Sequence, residues 1–217
     1  MGVKLGTLDI TFKVGSADTN VYLGSQMIYS GDTPTPPTFQ GKWIATYTGG
    51  TTESAACDAS SAITIYEITL TDLESVEIGD CVTYIDDMAF RNCGSITGVT
   101  IPNSVTSIGQ SPFYQCFSLT SIDMPNSVTY IGLSAFYGCS GLTTVTIGSG
   151  VTSIGKMAFR HCSGLTGITI NATNPPTLGD NVFQNTNDCP IYVPSASVSS
   201  YQSAWSAYSS RIQAIPE

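Results

Sequence analysis

The sequence predicts a mainly β fold, a solenoid of 23-residue coils with a C-terminal capping helix, preceded by a small N-terminal β unit. Three observations predict it. Four segments, 81–103, 104–126, 127–149 and 150–172, align without gaps, and a fixed period in this range marks stacked coils. Inside each segment apolar and polar residues alternate at the two-residue period of a half-buried strand. The composition agrees: 21 Gly and 11 Pro, with 41% hydrophobic and 11% charged residues, favour turns and short strands and are too apolar for a disordered chain.

In chain order, residues 1–31 form the small β unit. Leu8, Ile10, Phe12 and Val14 alternate with Thr7, Asp9, Thr11 and Lys13, and Val21–Leu23 and residues 27–29 read as two short strands around Gly24 and Ser25. A unit below about 40 residues seldom folds alone. It is therefore expected to fold against copies of itself or against a host assembly, with Leu8, Ile10, Phe12, Val14, Val21, Leu23, Met27 and Tyr29 as the anchor. Residues 32–40 contain D-T-P-T-P-P-T-F, a stiff extended linker. In 41–80, residues 42–47 and 51–57 flank Thr48, Gly49 and Gly50 as a hairpin that caps the first coil. Leu73, Val76 and Ile78 then supply a first half-repeat.

The four repeats of 81–172 share x-V-T-x-I-G-x-x-A-F-x-x-C-x-x-L-T-x-I-x-I-P-x. V-T-x-I-G and L-T-x-I-x-I read as two extended pieces, and A-F-x-x-C as a tight helical turn. Phe90, Phe113, Phe136 and Phe159 form one column and Cys93, Cys116, Cys139 and Cys162 another. One coil cannot bury such a face alone; stacking about 4.8 Å apart makes one continuous core. In 173–217, Leu178, Gly179 and Phe183 continue a degenerate last repeat after a one-residue insertion at Asn174, Pro175 and Pro176, and Ile191 and Val193 give a last strand. Beyond Pro194, Val198, Tyr201, Trp205, Tyr208 and Ile212 fall at spacings of three and four, the apolar stripe of a capping helix, with Tyr201 and Trp205 covering the last coil.

The pattern closely resembles the BspA-like leucine-rich repeats of gut Bacteroidetes surface proteins and of their phages' virion proteins. S-V-T-S-I-G from Ser104, A-F-R-H-C-S-G-L-T from Ala158, N-P-P-T-L-G from Asn174 and P-I-Y-V-P from Pro190 carry the match. The resemblance implies a right-handed curved solenoid used in adhesion or recognition, with no shared catalytic residues. Asp86 and Asp87 in the first coil and Pro112 in the second depart from it. V-Y-L-G-S-Q-M-I-Y-S-G, residues 21–31, is similar to short β modules that begin virion fibre proteins of such phages.

Composition and motifs narrow the function. Seven Lys and Arg against sixteen Asp and Glu, net −9, leave no basic surface for nucleic acid. No apolar run is long enough for membrane insertion. Read from Met1, no signal peptide precedes the fold, so the chain is expected to be kept in the cytosol or to leave it by lysis. Seven cysteines without a Cys-x-x-Cys pair and a single histidine, His161, argue against zinc. The cysteine column reads as buried free thiols, and Cys57, Cys81 and Cys189 lack evident partners. No catalytic, cofactor-binding or metal residue is expected: His161 sits on a convex turn, beside a Cys162 that belongs to the core. Asp72, Glu74, Glu77, Asp80, Asp86 and Asp87 read as a solvated acidic face, since the Asp-x-Asp-x-Asp-Gly calcium loop is absent.

While the apolar columns hold, the slots between them vary. Tyr84, Arg91, Tyr114, Tyr130, Tyr137, Arg160 and His161 are either ordinary solvated positions or a partner-binding surface, for which Tyr and Arg are suited. The outward strand positions are small and polar, a flat face. The sequence thus reads as a non-enzymatic structural and adhesion protein: a phage virion fibre or receptor-binding protein held to a virion or other host assembly by residues 1–31. Its solenoid would meet a host surface protein or glycan. Homo-oligomers are expected, and fibre analogy gives a trimer. The alternative is a bacterial cell-surface adhesin of the same repeat family.

Overall fold

Stacking completes each coil, because the apolar face and the strand edges of one coil are covered only by the next. The structure, a computed structural model, describes residues 21–23, 26–29, 41–56, 62–63 and 72–217. Its contacts divide the chain into Met1–Phe39 and Gln40–Glu217. In the first unit Val21–Leu23 pairs antiparallel with Gln26–Tyr29, the two strands expected around Gly24 and Ser25. Leu8, Ile10, Phe12, Val14, Cys57 and residues 32–40 lie outside the described residues.

In the second unit the two extended pieces of each coil pair in parallel with those of the next, the short pieces as one continuous ladder and the long pieces as two. The L-T-x-I-x-I pieces become Leu73–Ile78, Gly98–Thr100, Ser121–Met124, Thr144–Ile147, Gly167–Ile170 and Ile191–Val193. The V-T-x-I-G pieces become Tyr84–Ile85, Ser107–Ile108, Tyr130–Ile131 and Ser153–Ile154. Ala62–Ile63 precedes this ladder of short pieces and Thr177–Leu178 ends it. Register follows the repeat: Ile122 faces Val145, which faces Ile168. Ile154 faces Leu178, one residue further along because of the insertion at Asn174–Pro175–Pro176.

The hairpin is present as Gly41–Tyr47 and Thr52–Ala56. The first strand also pairs antiparallel with Leu73–Ile78, Trp43 opposite Ile78 and Ala45 opposite Val76. It thereby closes a strand edge that would otherwise stay unpaired, and buries Trp43, Ala45 and Tyr47.

The A-F-x-x-C segment is not the helical turn the sequence implied. Each is a four-residue turn closed by the cysteine amide, Cys93 to the Phe90 carbonyl at 3.2 Å and Cys116 to that of Phe113 at 3.3 Å. The third residue of each turn is left-handed: Asn92, Gln115, Gly138 and His161 all have positive φ. So do Met88, Ser111, Ser134 and Met157 in the turn before. A helix would consume every amide internally. These alternating turns instead release every second amide to the next coil: Met88 to the Gln110 carbonyl, Phe90 to Pro112 and Asn92 to Tyr114, at 2.8–2.9 Å. The turn edge therefore ladders like a third strand.

Inside, Phe90, Phe113, Phe136, Phe159 and Phe183 stack face on face with ring centroids 5.1–5.8 Å apart. Beside them the thiols of Cys116, Cys139 and Cys162 donate to the carbonyls of Phe90, Phe113 and Phe136 at 3.0–3.2 Å. Cys93, Cys116, Cys139, Cys162 and Cys189 are free. Cys81, for which the sequence offered no evident partner, is disulfide-bonded. The repeated threonines have a structural reason as well. Thr120, Thr143 and Thr166 each donate both amide and hydroxyl to the carbonyl of the threonine one coil back, and Thr129 and Thr152 do the same on the other ladder.

Burial pushes the Cys93 thiol up to about 12 and raises those of Cys116 and Cys162 as well. In the unfolded chain these thiols ionise near their ordinary value of 9.0. Above that pH the unfolded state binds fewer protons than the native one, so stability falls as pH rises. Denaturant unfolding should give a constant stability to about pH 8, then a loss of about 1.4 kcal/mol per pH unit for each such thiol. Cys116→Ala should reduce the slope. An alkaline profile as flat as the neutral one would contradict the buried thiol column.

The C-terminal cap is more segmented than one helix. A 3₁₀ turn, Ser195–Ser197, leads into an α-helix, Val198–Ala204, and a second 3₁₀ segment, Ser206–Arg211. Ile212 is not on the helical stripe: Ile212–Ala214 is a strand parallel to Ile191–Val193. Tyr201 and Trp205 do cover the last coil, the tyrosine hydroxyl donating to the Ala172 carbonyl at 2.8 Å and the indole to that of Pro176 at 2.9 Å. Arg211, which no sequence signal marked, is buried. Its guanidinium donates to the carbonyls of Cys189 and Phe183 and to the Thr186 hydroxyl, with Asp188 at 3.9 Å. A buried guanidinium is tolerable only with such partners.

Candidate binding surface

The turn edge decides where the variable residues go. Arg91, Tyr114, Tyr137 and Arg160 are the second residues of successive turns. Their backbones are tied in sequence by amides from the following residues: Asn92 to the Tyr114 carbonyl, Gln115 to Tyr137 and Gly138 to Arg160, at 2.7–2.9 Å. The side chains consequently form a column along the solenoid. The Arg91 guanidinium carbon lies 4.7 Å over the Tyr114 ring. That ring stacks on Tyr137 at 4.9 Å and 5°, and Tyr137 meets His161 edge-on at 5.3 Å. Asn185 Nδ2, one coil on, lies 3.1 Å from His161 Nδ1.

Because the faces of Tyr114 are covered by Arg91 and Tyr137, the column presents ring edges, hydroxyls and guanidinium groups rather than open aromatic planes. It combines guanidinium donors with hydroxyls that donate or accept. Arg91 and Arg160 reach only the sulfurs of Met88 at 3.7 Å and Met157 at 3.4 Å, and Arg160 Nε is buried with no partner. Among the described residues neither guanidinium has a carboxylate partner. Sequence reasoning missed the two methionines and Asn185. The repeated M-A-F-R of Met88 and Met157 carried the signal for the methionines.

Tyr84 and Tyr130 do not join this column. They stand on the short-strand ladder with Ser107 between them in register. The Tyr84 hydroxyl donates to Asp87 Oδ1 at 3.1 Å. Burial, with the Asp87 charge and hydrogen bond, pushes the phenol up to about 12. The same Asp87 oxygen accepts the Gln110 amide at 2.6 Å, so this carboxylate ties two coils together. Tyr130 is exposed. Among the described residues no three His, Cys, Asp or Glu side chains converge as a metal site. Cys162 is not placed as a nucleophile beside His161: it faces the core, its thiol engaged by the Phe136 carbonyl and its ionisation opposed by burial.

The long-strand face is less flat than its small residues implied. Pairing is interrupted between Gly98–Thr100 and Ser121–Met124, and Val99 is half-buried where Ile122, Val145 and Ile168 are fully buried. A shallow groove of about 490 Å³ lies at the break, lined by Ser75, Glu77, Gly98, Thr100, Ser121 and Asp123 among others. No helix among the described residues is long and apolar enough to cross a membrane.

The family described as "BspA type Leucine rich repeat region" matches residues 62–190 in six copies. A leucine-rich repeat protein from Bacteroides ovatus is similar at 23% identity and TM-score 0.49, covering 69% of this chain and 45% of that one. One from Eubacterium ventriosum is similar at 20% identity and TM-score 0.49, covering 69% and 39%. The T. pallidum leucine-rich repeat protein is similar at 21% identity and TM-score 0.44, covering 57% and 75%. The chain spans less than half the length of the first two. No curated protein matches it.

Proposed function

The chain belongs to the BspA-type leucine-rich repeat family, and from that premise we propose that it is a non-enzymatic adhesion protein whose turn edge contacts a host surface protein or glycan. The observation that carries the reading is the column Arg91–Tyr114–Tyr137–His161. Its members vary from coil to coil while the core columns do not, and among the described residues Arg91 has no carboxylate partner and the two tyrosine hydroxyls have none in the protein. Residues 1–31 anchor the protein, through Leu8, Ile10, Phe12, Val14, Val21, Leu23, Met27 and Tyr29. The assembly is a homo-oligomer, by fibre analogy a trimer, on a phage particle. The resemblance of residues 21–31 to fibre-protein modules supports the virion over the cell surface, and a bacterial surface adhesin is the second reading.

Mass spectrometry of purified particles and of washed cell envelopes from a producing culture separates the two: the protein is expected in particles, and its recovery from envelopes alone would favour the adhesin. Deleting residues 1–31 should remove the chain from particles. Replacing Tyr114 and Tyr137 together by Ala should abolish attachment to host cells while far-UV circular dichroism stays unchanged. Retained attachment would overturn the assignment of the surface.

A further inference from the structure

We propose that the turn edge binds a linear polysaccharide of carboxylate-bearing pyranoses, along the axis of the solenoid. This rests on the adhesion reading and names the ligand class for it. The first ground is charge. The chain has net charge −9 with only seven Lys and Arg, and two of these, Arg91 and Arg160, occupy one column without a carboxylate partner among the described residues. Lys156, by contrast, pairs with Asp180 at 3.3 Å. In an acidic protein two guanidinium groups on the same edge with only methionine sulfurs and a ring face as neighbours call for an acidic partner.

The second ground is donor type. Among the described residues neither the Tyr114 nor the Tyr137 hydroxyl has a protein partner, and both lie between the two arginines. The column thus offers two guanidinium donors and two hydroxyls that can both donate and accept, which fits carboxylate and hydroxyl oxygens. The third ground is spacing. The Tyr114 and Tyr137 rings, one coil apart, lie at 4.9 Å, close to the length of one pyranose unit. An extended acidic peptide repeats its same-face side chains every ~7 Å and falls out of step within two rungs. Since the ring faces are covered by one another and by Arg91, the sugar meets ring edges and hydroxyls, and the carboxylates reach the guanidinium groups.

The test uses the full chain and three polymers in affinity electrophoresis and titration calorimetry: polygalacturonate, neutral amylose and polyglutamate. Polygalacturonate should retard the protein, amylose should not, and polyglutamate should bind at least fivefold more weakly. Arg91→Gln with Arg160→Gln should weaken polygalacturonate binding about tenfold or more. Tyr114→Phe with Tyr137→Phe, which leaves the stack intact, should weaken it several-fold. Raising the salt should weaken it too. Equal binding of polyglutamate would overturn the sugar class, and absence of polygalacturonate binding, or binding indifferent to the arginine pair, would overturn the proposal. If polygalacturonate fails while Tyr114→Ala with Tyr137→Ala still abolishes host-cell attachment, the ligand class falls and the adhesion reading stands. If attachment is also unaffected, both fall.

Discussion

Phe136→Ala should destabilise the solenoid by about 3–5 kcal/mol, read as a lowered denaturant midpoint. Phe136 is fully buried and stacks on Phe113 at 5.1 Å and 9° and on Phe159 at 5.1 Å and 2°. Truncation therefore removes two ring contacts and leaves a cavity that its neighbours cannot fill, because each is held in its own coil. Such a loss is a large share of the 5–15 kcal/mol that typically holds a domain folded. In a stack of coils each rung contacts only its neighbours, so a middle rung breaks two interfaces. The unfolding transition should accordingly broaden or split. Phe117→Ala is the control: Phe117 is 51% exposed, and its removal should change stability by about 0.5 kcal/mol or less. A loss below 1 kcal/mol for Phe136→Ala would mean that the ring column is not the structural spine.

What the sequence made legible follows from what burial demands. A core position must be apolar in every coil, so the Val, Ile, Phe, Cys and Leu columns announce themselves at the 23-residue period. The turn geometry does not. Its constraint falls on backbone dihedrals at Met88, Ser111, Gln115, Ser134, Met157 and His161 as well as at Asn92, Gly138, Asn181 and Asn185, and residue types this different give no common signal; Gly and Asn are the ordinary left-handed residues among them. Ile212 misled because an apolar residue at that spacing satisfies a helix and a terminal strand alike. Arg211 carried no periodicity at all, and its burial depends on carbonyls and a hydroxyl that converge only in three dimensions. For the binding column the period placed Arg91, Tyr114, Tyr137 and Arg160 on one edge. It could not show that the rings cover one another's faces, nor that Tyr84 turns to Asp87 instead.

Gly132→Ala should cost about 3 kcal/mol or more, at the upper end of overpacking losses, although the change is a single methyl group. Gly109, Gly132, Gly155 and Gly179 close the V-T-x-I-G pieces and their downstream copy. The amide of each donates to the isoleucine carbonyl one coil back, at 2.7–2.9 Å. Among the Gly residues with positive φ these do not figure, so left-handed freedom is not what they supply. They supply room. A Cβ on Gly132 would strike the Gly109 carbonyl oxygen, and one on Gly155 would lie 2.6 Å from the Gly132 carbonyl carbon. The obstacle is backbone in both cases and cannot rotate away. An added methyl must lift one coil off the next, stretching both parallel ladders and the phenylalanine stack together. Gly98→Ala isolates the steric cause: a Cβ there has nothing within 4 Å, and stability should move by about 0.5 kcal/mol or less. Gly138→Ala separates it from the conformational one, because Gly138 has φ 73° and should lose about 1–2 kcal/mol. Denaturant midpoints for the three variants should order as Gly98→Ala, Gly138→Ala, Gly132→Ala, from most to least stable. If Gly132→Ala proved as stable as Gly98→Ala, the coils would not lie in backbone contact at this column.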